Sequence, residues 1–516
     1  MEEPKTVPES SEWQRTSTHA EVLDFVDKLA ALPFGKRLVR HVFGKSSEGR
    51  DLVVVVASKD PLPDEARERL ATLRGSKLLR LFVNANIHAG EVEGKEAVQI
   101  LLREIAHGGH EALLEHAHLI FVPVYNPDGN DRIDRKNRVE QNGPEKGVGT
   151  RHTAEGFDLN RDFIKVDTPE CRALLGLIDA LDPDLFMDLH TTNGSAHGYE
   201  LTYAPSLAVN VDEAQRDFTR KVFLPEIRAA MARNHKVRVF DYGNFVGGKP
   251  ERGWATYDHR PRFGTNYFGL RNRIAVLSEA YSYDSFPVRT AATRAFVVET
   301  LHAAVRHRKD LVELATKADE RCRAPSADEA LTFRFATKLE APRVDEVLLG
   351  TLKHETIEGL GRRSMRVPGV EPVKIPTQVA FVASEVIELP RAWVVENPSE
   401  RFLDLLALHG VEHRRLEAAE EQPCQVFEMR EAPKGRRAFE KHYERRVIGA
   451  WSVDAQKRSI RAGAVWIPAT QRLARIAAQL LEPQSEDSLT PWNVFDAEIE
   501  AAMKAEHGHP VLRIVD

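Results

Sequence analysis

Apolar positions recur three and four residues apart over residues 19–33, which predicts a helix that Pro33 stops. Two strand-like runs follow, Arg37 to Phe43 and Asp51 to Ala57. The polar stretch from Gly44 to Arg50 joins them as the loop of a hairpin. Strands and helices then alternate. Strand 79–87 precedes a helix at 91–106, strand 118–124 precedes a long polar loop, and helix 169–181 precedes strand 184–189. Near-continuous apolar strands separated by helices predict an α/β domain, with a mainly parallel central sheet covered by helices on both faces. Strand 274–278 and a long helix from about 288 to 320 close it.

Beyond the charged segment Lys317 to Asp328 the texture changes to strands with polar alternation: Leu331 to Phe335, Glu346 to Leu352 and Gln378 to Ile387. Pro390 to Val395, Glu400 to His409 and Val411 to Leu416 read strand–helix–strand; strand Ala464 to Pro468 and a helix through Leu481 complete the pattern. The expected organisation is a catalytic-type domain over 1–325 and a smaller, separate α+β region over 331–516.

A net charge of −6, with both signs interspersed, argues against a nucleic-acid stripe or a membrane-binding patch. The longest apolar runs, such as Leu52 to Ala57, are far too short to span a bilayer. The acidic, polar first residues show no signal-peptide pattern, so a cytoplasmic location is expected, or a secreted or periplasmic one if a leader has been removed. Cys171, Cys322 and Cys424 lie too far apart for metal or disulfide spacing and are expected to be buried small side chains.

Candidate chemistry begins at His88-Ala-Gly-Glu91, where the apolar run from Leu79 to Ile87 stops. An imidazole and a carboxylate at that spacing suit a zinc ion, but a catalytic zinc needs a third protein ligand. Alone, the motif is equally an exposed loop histidine beside a helix-start carboxylate. His190 ends a second apolar strand, and ligands in open α/β sheets gather at carboxyl strand ends. Glu279 ends a third such strand; it is a candidate base for water, or else an ion-pair partner of Arg271 or Arg273. Asn160 and Arg161, in Gly156-Phe-Asp-Leu-Asn-Arg-Asp-Phe163, suit a carboxylate, with Arg135 of Arg135-Lys-Asn-Arg138 as a second guanidinium. His107, His110, His116 and His118 lack a completing carboxylate and read as surface residues.

These motifs, with Asn126-Pro-Asp-Gly129 and Asp188-Leu-His190, stand in the order seen in zinc metallocarboxypeptidases of the carboxypeptidase A type, which residues 19–310 resemble. The resemblance implies a mixed, mainly parallel sheet and one zinc ion held by His88, Glu91 and His190, the His2Glu set known for carboxypeptidase A. It implies Asp158 on the free ring nitrogen of His88, Glu279 as general base then acid, and Arg135 on the scissile carbonyl. Asn160 and Arg161 would hold a free C-terminal carboxylate, so the implied partner is a peptide. Tyr257, with Tyr267 as its rival, has the spacing of the family's substrate-capping tyrosine. Two departures stand out: Ala89-Gly90 fills a slot where relatives often carry arginine, and no clear acidic residue marks a pocket for Lys or Arg. Alternatives are a zinc amidohydrolase or deacylase acting on N-acyl amino acids or cell-wall peptides, and a non-catalytic peptide-binding protein. Trp492 and Phe495 are expected to anchor the C-terminal region on the catalytic domain.

Overall fold

In the computed structural model, which describes residues 3–192, 194–325, 330–505 and 507–515, the apolar runs become strands of one mixed sheet. They are β1 (Leu38–Lys45), β2 (Asp51–Ala57), β3 (Leu79–Ala85), β4 (Ala117–Val122), β5 (Leu185–Thr191), β6 (Leu201–Pro205), β7 (Val239–Asp241) and β8 (Ile274–Ala280). The spatial order is β1-β2-β4-β3-β5-β8-β6-β7. The four central strands β4, β3, β5 and β8 run parallel; β2 and β6 flank them antiparallel.

Side chains alternate along each strand, so the sheet feeds two cores. Val53, Val55, Leu81, Val83 and Leu185 pack with the helices α1 (His19–Leu29), α2 (Glu93–Ala106) and α4 (Phe286–Arg306). Val54, Val56, Phe82, Ile120 and Phe186 point the other way, toward α3 (Pro169–Leu181). The bounds of α3 have local causes. The Thr168 hydroxyl accepts from the Cys171 N–H, Pro169 sits in the first turn, and Asp182 ends the helix in a left-handed conformation. The long helix expected over 288–320 is two, α4 and Arg308–Arg323, broken at His307 although the apolar spacing continues.

After residue 330 the architecture changes. Thr332–Leu339 pairs with Phe381–Glu388, and Arg343–Ile357 with Gly361–Gln378 form a long hairpin that joins Trp254-Ala255. The strand expected over Gln378–Ile387 therefore spans the end of one strand and most of another. A further sheet forms around Ala392–Val395, flanked by helix Glu400–Leu408; the strand expected over Val411–Leu416 shrinks to Arg414-Arg415. Packing does not break where the architecture changes. Phe402, Leu405, Trp492 and Phe495 share one apolar cluster with Phe163, Leu174 and Tyr267, and full burial of such a side chain stabilises by about 1.5–3 kcal/mol. Among the described residues no helix is long and apolar enough to cross a membrane.

Three imidazoles are buried neutral. Burial, above all, pushes His197 and His509 down to about 3 and His409 down to about 4. In the unfolded chain these rings protonate near pH 6.5. Above that pH neither state binds the protons; below it only the unfolded state does. Stability is thus intact above the unfolded value and falls by about 1.4 kcal/mol per pH unit per ring as pH drops toward the folded values. Calorimetry is expected to show Tm falling steeply between pH 6.5 and 5, whereas an unchanged Tm would contradict the neutral assignment.

Candidate metal centre and cleft

The carboxyl ends of β3, β5 and β8 deliver the central groups. β3 stops at Ala85 and the chain turns through Asn86, at φ 64°; the Glu91 N–H then bonds the His88 carbonyl at 2.9 Å, just before α2 begins. His190 and Glu279 stand opposite each other in parallel register.

His88, Glu91 and His190 are all buried, and their donor atoms lie within 4.8 Å of one another. The outer nitrogen of each ring is committed to a carboxylate: His88 Nε2 to Asp158 Oδ1 at 3.0 Å, and His190 Nε2 to Asp188 Oδ2 at 2.9 Å. Asn84 Nδ2 fixes Asp188 in turn, at 3.0 Å. With Nε2–H donating outward, both Nδ1 lone pairs point inward. The two Nδ1 atoms are 3.2 Å apart, and Glu91 oxygens lie 3.2 Å from the first and 3.0 Å from the second. Two lone pairs and a carboxylate that converge this way need a cation between them. The N2O donor set, with each imidazole oriented by a carboxylate, fits a catalytic zinc ion. Without a metal, the same carboxylates favour a proton at this point. Burial opposes charge on His190, yet Asp188 and Glu91 hold its pKa well above the usual value. Burial likewise opposes charge on Glu91, but His88, Arg138 and His190 hold it well below the carboxylate range.

Gly90 explains the slot that lacks an arginine. A Cβ there would lie 2.7 Å from Arg138 Cδ and 2.9 Å from the Gly149 carbonyl, so no side chain fits. Arg138 fills the space from another loop, reaching Glu91 Oε1 at 3.0 Å and the carbonyls of Thr191 and Thr192.

The centre opens onto a cleft of about 620 Å³, lined also by Arg151, Asn160, Arg161, Tyr257 and Glu279. The Glu279 carboxylate has no hydrogen-bond partner among the described residues. Burial pushes its pKa up, against the pull of His190 and with the push of Glu91. The ion pairs considered for it are absent: Arg271 bonds Asp179, and Arg273 bonds Asp182 and Asp319. The Arg161 guanidinium lies 3.9 Å over the Phe263 ring, and Asn160 Oδ1 accepts from the Gly264 N–H at 2.8 Å. Tyr257 lines the cleft with a buried hydroxyl that lacks a partner among the described residues, whereas the rival Tyr267 is fully buried against His409 at 2.8 Å.

Arg135 does not join this group. It is exposed and borders a separate small groove beside Pro144 and Leu360. The arginine that reaches the cleft is Arg151, with Nε 2.9 Å from Asp158 and a terminal nitrogen 3.5 Å from Glu91. Arg151 follows Gly149-Thr150, only seven residues before Asp158, and that proximity was the available signal. Tyr242 also lines the cleft, and no sequence pattern marks it. Asp258, next to Tyr257, also lines the cleft, and Arg260 forks onto its carboxylate. Of the histidines expected at the surface, His118 is buried between Ser58 and Ser76, while His110 pairs with Glu104.

Among known proteins, the family model described as zinc carboxypeptidase matches residues 23–248 of this chain. Carboxypeptidase 2 of Trichophyton tonsurans is 23% identical over 478 residues, covering 87% of this chain and 79% of its own. Mouse carboxypeptidase Z is 33% identical over 126 residues, 23% of this chain and 17% of its own. The crystal structure of a metallo-carboxypeptidase from Burkholderia cenocepacia is 18% identical with a TM-score of 0.41, over 57% of this chain and 70% of that one.

Proposed function

Because residues 23–248 match the zinc carboxypeptidase family model, we propose that this chain removes the last residue of a peptide with a free C-terminal carboxylate. The convergence of two oriented imidazoles and a carboxylate beside an unpartnered Glu279 carries this reading. His88, Glu91 and His190 would hold zinc, which when bound supplies the Lewis acidity for attack of water on the scissile bond.

The protein groups divide the remaining work. Glu279 takes a proton from the attacking water and returns it to the departing amine nitrogen, since its carboxylate faces the cleft uncommitted. Arg151 takes the role that the resemblance had given to Arg135, and stabilises the charge that develops on the carbonyl oxygen. Arg161 and Asn160 bind the terminal carboxylate, the guanidinium held flat against Phe263. The free hydroxyl of Tyr257 meets the substrate beside them.

A matched pair of peptides, one ending in a free acid and one in an amide, tests the clamp. A charge-assisted hydrogen bond contributes roughly 1.5–3 kcal/mol. Arg161→Ala is therefore expected to lower kcat/KM for the acid by roughly ten- to a hundredfold. The parent is expected to cleave the amide poorly, and the variant to cleave it no worse than the parent. Equal cleavage of acid and amide by the parent would overturn the exopeptidase reading and leave an amidohydrolase.

A further inference from the structure

A tight turn of the C-terminal region reaches the metal centre. Phe439 and His442 exchange backbone hydrogen bonds of 2.8 and 2.9 Å, leaving Glu440 and Lys441 as a two-residue tip. Both tip residues are left-handed, at φ 50° and 66°. Such a hairpin turn favours Asn-Gly or Gly-Gly, because a Cβ in that conformation crowds the following carbonyl. Glu and Lys break the local rule, and strain of this kind persists where surrounding contacts hold it.

The contacts are with the catalytic domain. Glu440 Oε2 accepts the Asp158 backbone N–H at 3.0 Å, the only partner of that N–H among the described residues. Lys441 Nζ lies 4.0 Å over the Phe157 ring, and His442 Nε2 is 2.8 Å from Asp167 Oδ2. Three consecutive residues thus grip the segment that carries Asp158, Asn160 and Arg161. Asp158 itself accepts from His88 Nε2 and from Arg151 Nε. Glu440 stands one hydrogen bond behind the carboxylate that aims a metal-binding ring.

We propose that the Glu440-Lys441 turn is a positioning element of the metal centre, so that the C-terminal region is part of the active site and not an appendage. Its contact with the Asp158 backbone keeps that carboxylate on His88 and keeps Arg151 and Arg161 facing the cleft. The proposal rests on the zinc-centre reading above.

The double variant Glu440→Gly, Lys441→Gly suits the turn's backbone and removes both side-chain contacts; Glu440→Gln keeps an acceptor of the same length. Zinc affinity is measured on the full chain by chelator competition, with Tm and the separate kcat and KM recorded alongside. Partners that orient zinc-binding histidines typically influence affinity by roughly 10–100-fold. The double variant is expected to lose zinc affinity in that range and to show lower kcat, with Tm of the metal-free chain close to the parent's. Glu440→Gln is expected to recover most of the affinity. Unchanged zinc affinity in the double variant overturns the proposal. So does a joint loss of Tm and affinity that Glu440→Gln fails to recover, since that marks a folding role alone. A parent chain that binds no zinc would sink the metal reading itself, a distinct result.

Discussion

Glu279→Gln is expected to lower kcat by about a thousandfold while leaving bound zinc at the parent level, because general acid–base catalysis by one side chain contributes roughly a hundred- to ten-thousandfold. The amide has the size of the carboxylate but cannot accept a proton from water at neutral pH. Glu279 accepts no hydrogen bond from the described protein residues, so the substitution disrupts no structural pair. It is buried opposite His190 and is not one of the three convergent donors, so zinc should remain. KM should change little, since substrate binding is assigned to Asn160, Arg161 and Tyr257. Stopped assays with zinc analysis of the same samples check this. A variant within a few-fold of the parent would show that another group moves the proton.

His190→Ala is expected to remove zinc binding and, with it, activity. The loss should exceed the roughly 10–100-fold typical of removing a partner that merely orients a ligand. His190 supplies one of only three donor atoms, and its absence leaves Asp188 buried without the ring that engages it. A buried carboxylate left with only the neutral Asn84 amide is costly, so Tm of the metal-free variant is also expected to fall. Metal analysis after dialysis against dilute zinc decides the matter. Undiminished zinc would mean that a different residue completes the site.

His88, His190 and Glu279 were legible as candidates in the sequence because each follows an apolar strand: His88 after 79–87, His190 after 184–189, Glu279 after 274–278. A strand that terminates at a sheet edge is a local pattern, and in a parallel sheet those edges coincide. Arg151 carries no such signal. It lies in a loop without periodicity, and its reach to Asp158 and Glu91 is a tertiary outcome, so the family motif drew attention to the exposed Arg135 instead. Glu440 was further out of reach, separated from Asp158 by 282 positions.

The fold shows the same division. Residues 169–181 announced a helix because Thr168 and Pro169 mark its start within the chain itself. Of the hairpin Arg343–Gln378, only Glu346–Leu352 in its first strand announced itself. The second strand is largely exposed and carries Pro368, Pro372 and Pro376, so neither alternation nor a clean apolar run betrays it. The expectation of a separate C-terminal unit failed to foresee the common apolar cluster because shared packing leaves no mark on composition. Trp492 did give a clue. It was expected to anchor the two parts, and its ring lies under the Arg262 guanidinium, whose carbon is 4.5 Å away.

Mass spectrometry of a peptide library incubated with the zinc-loaded chain tests the central claim most directly. The account predicts ladders that shorten by single residues from the C-terminus, abolished by a zinc chelator and restored by zinc. Internal cuts, trimming from the N-terminus, or shortening that survives complete removal of the metal would contradict it.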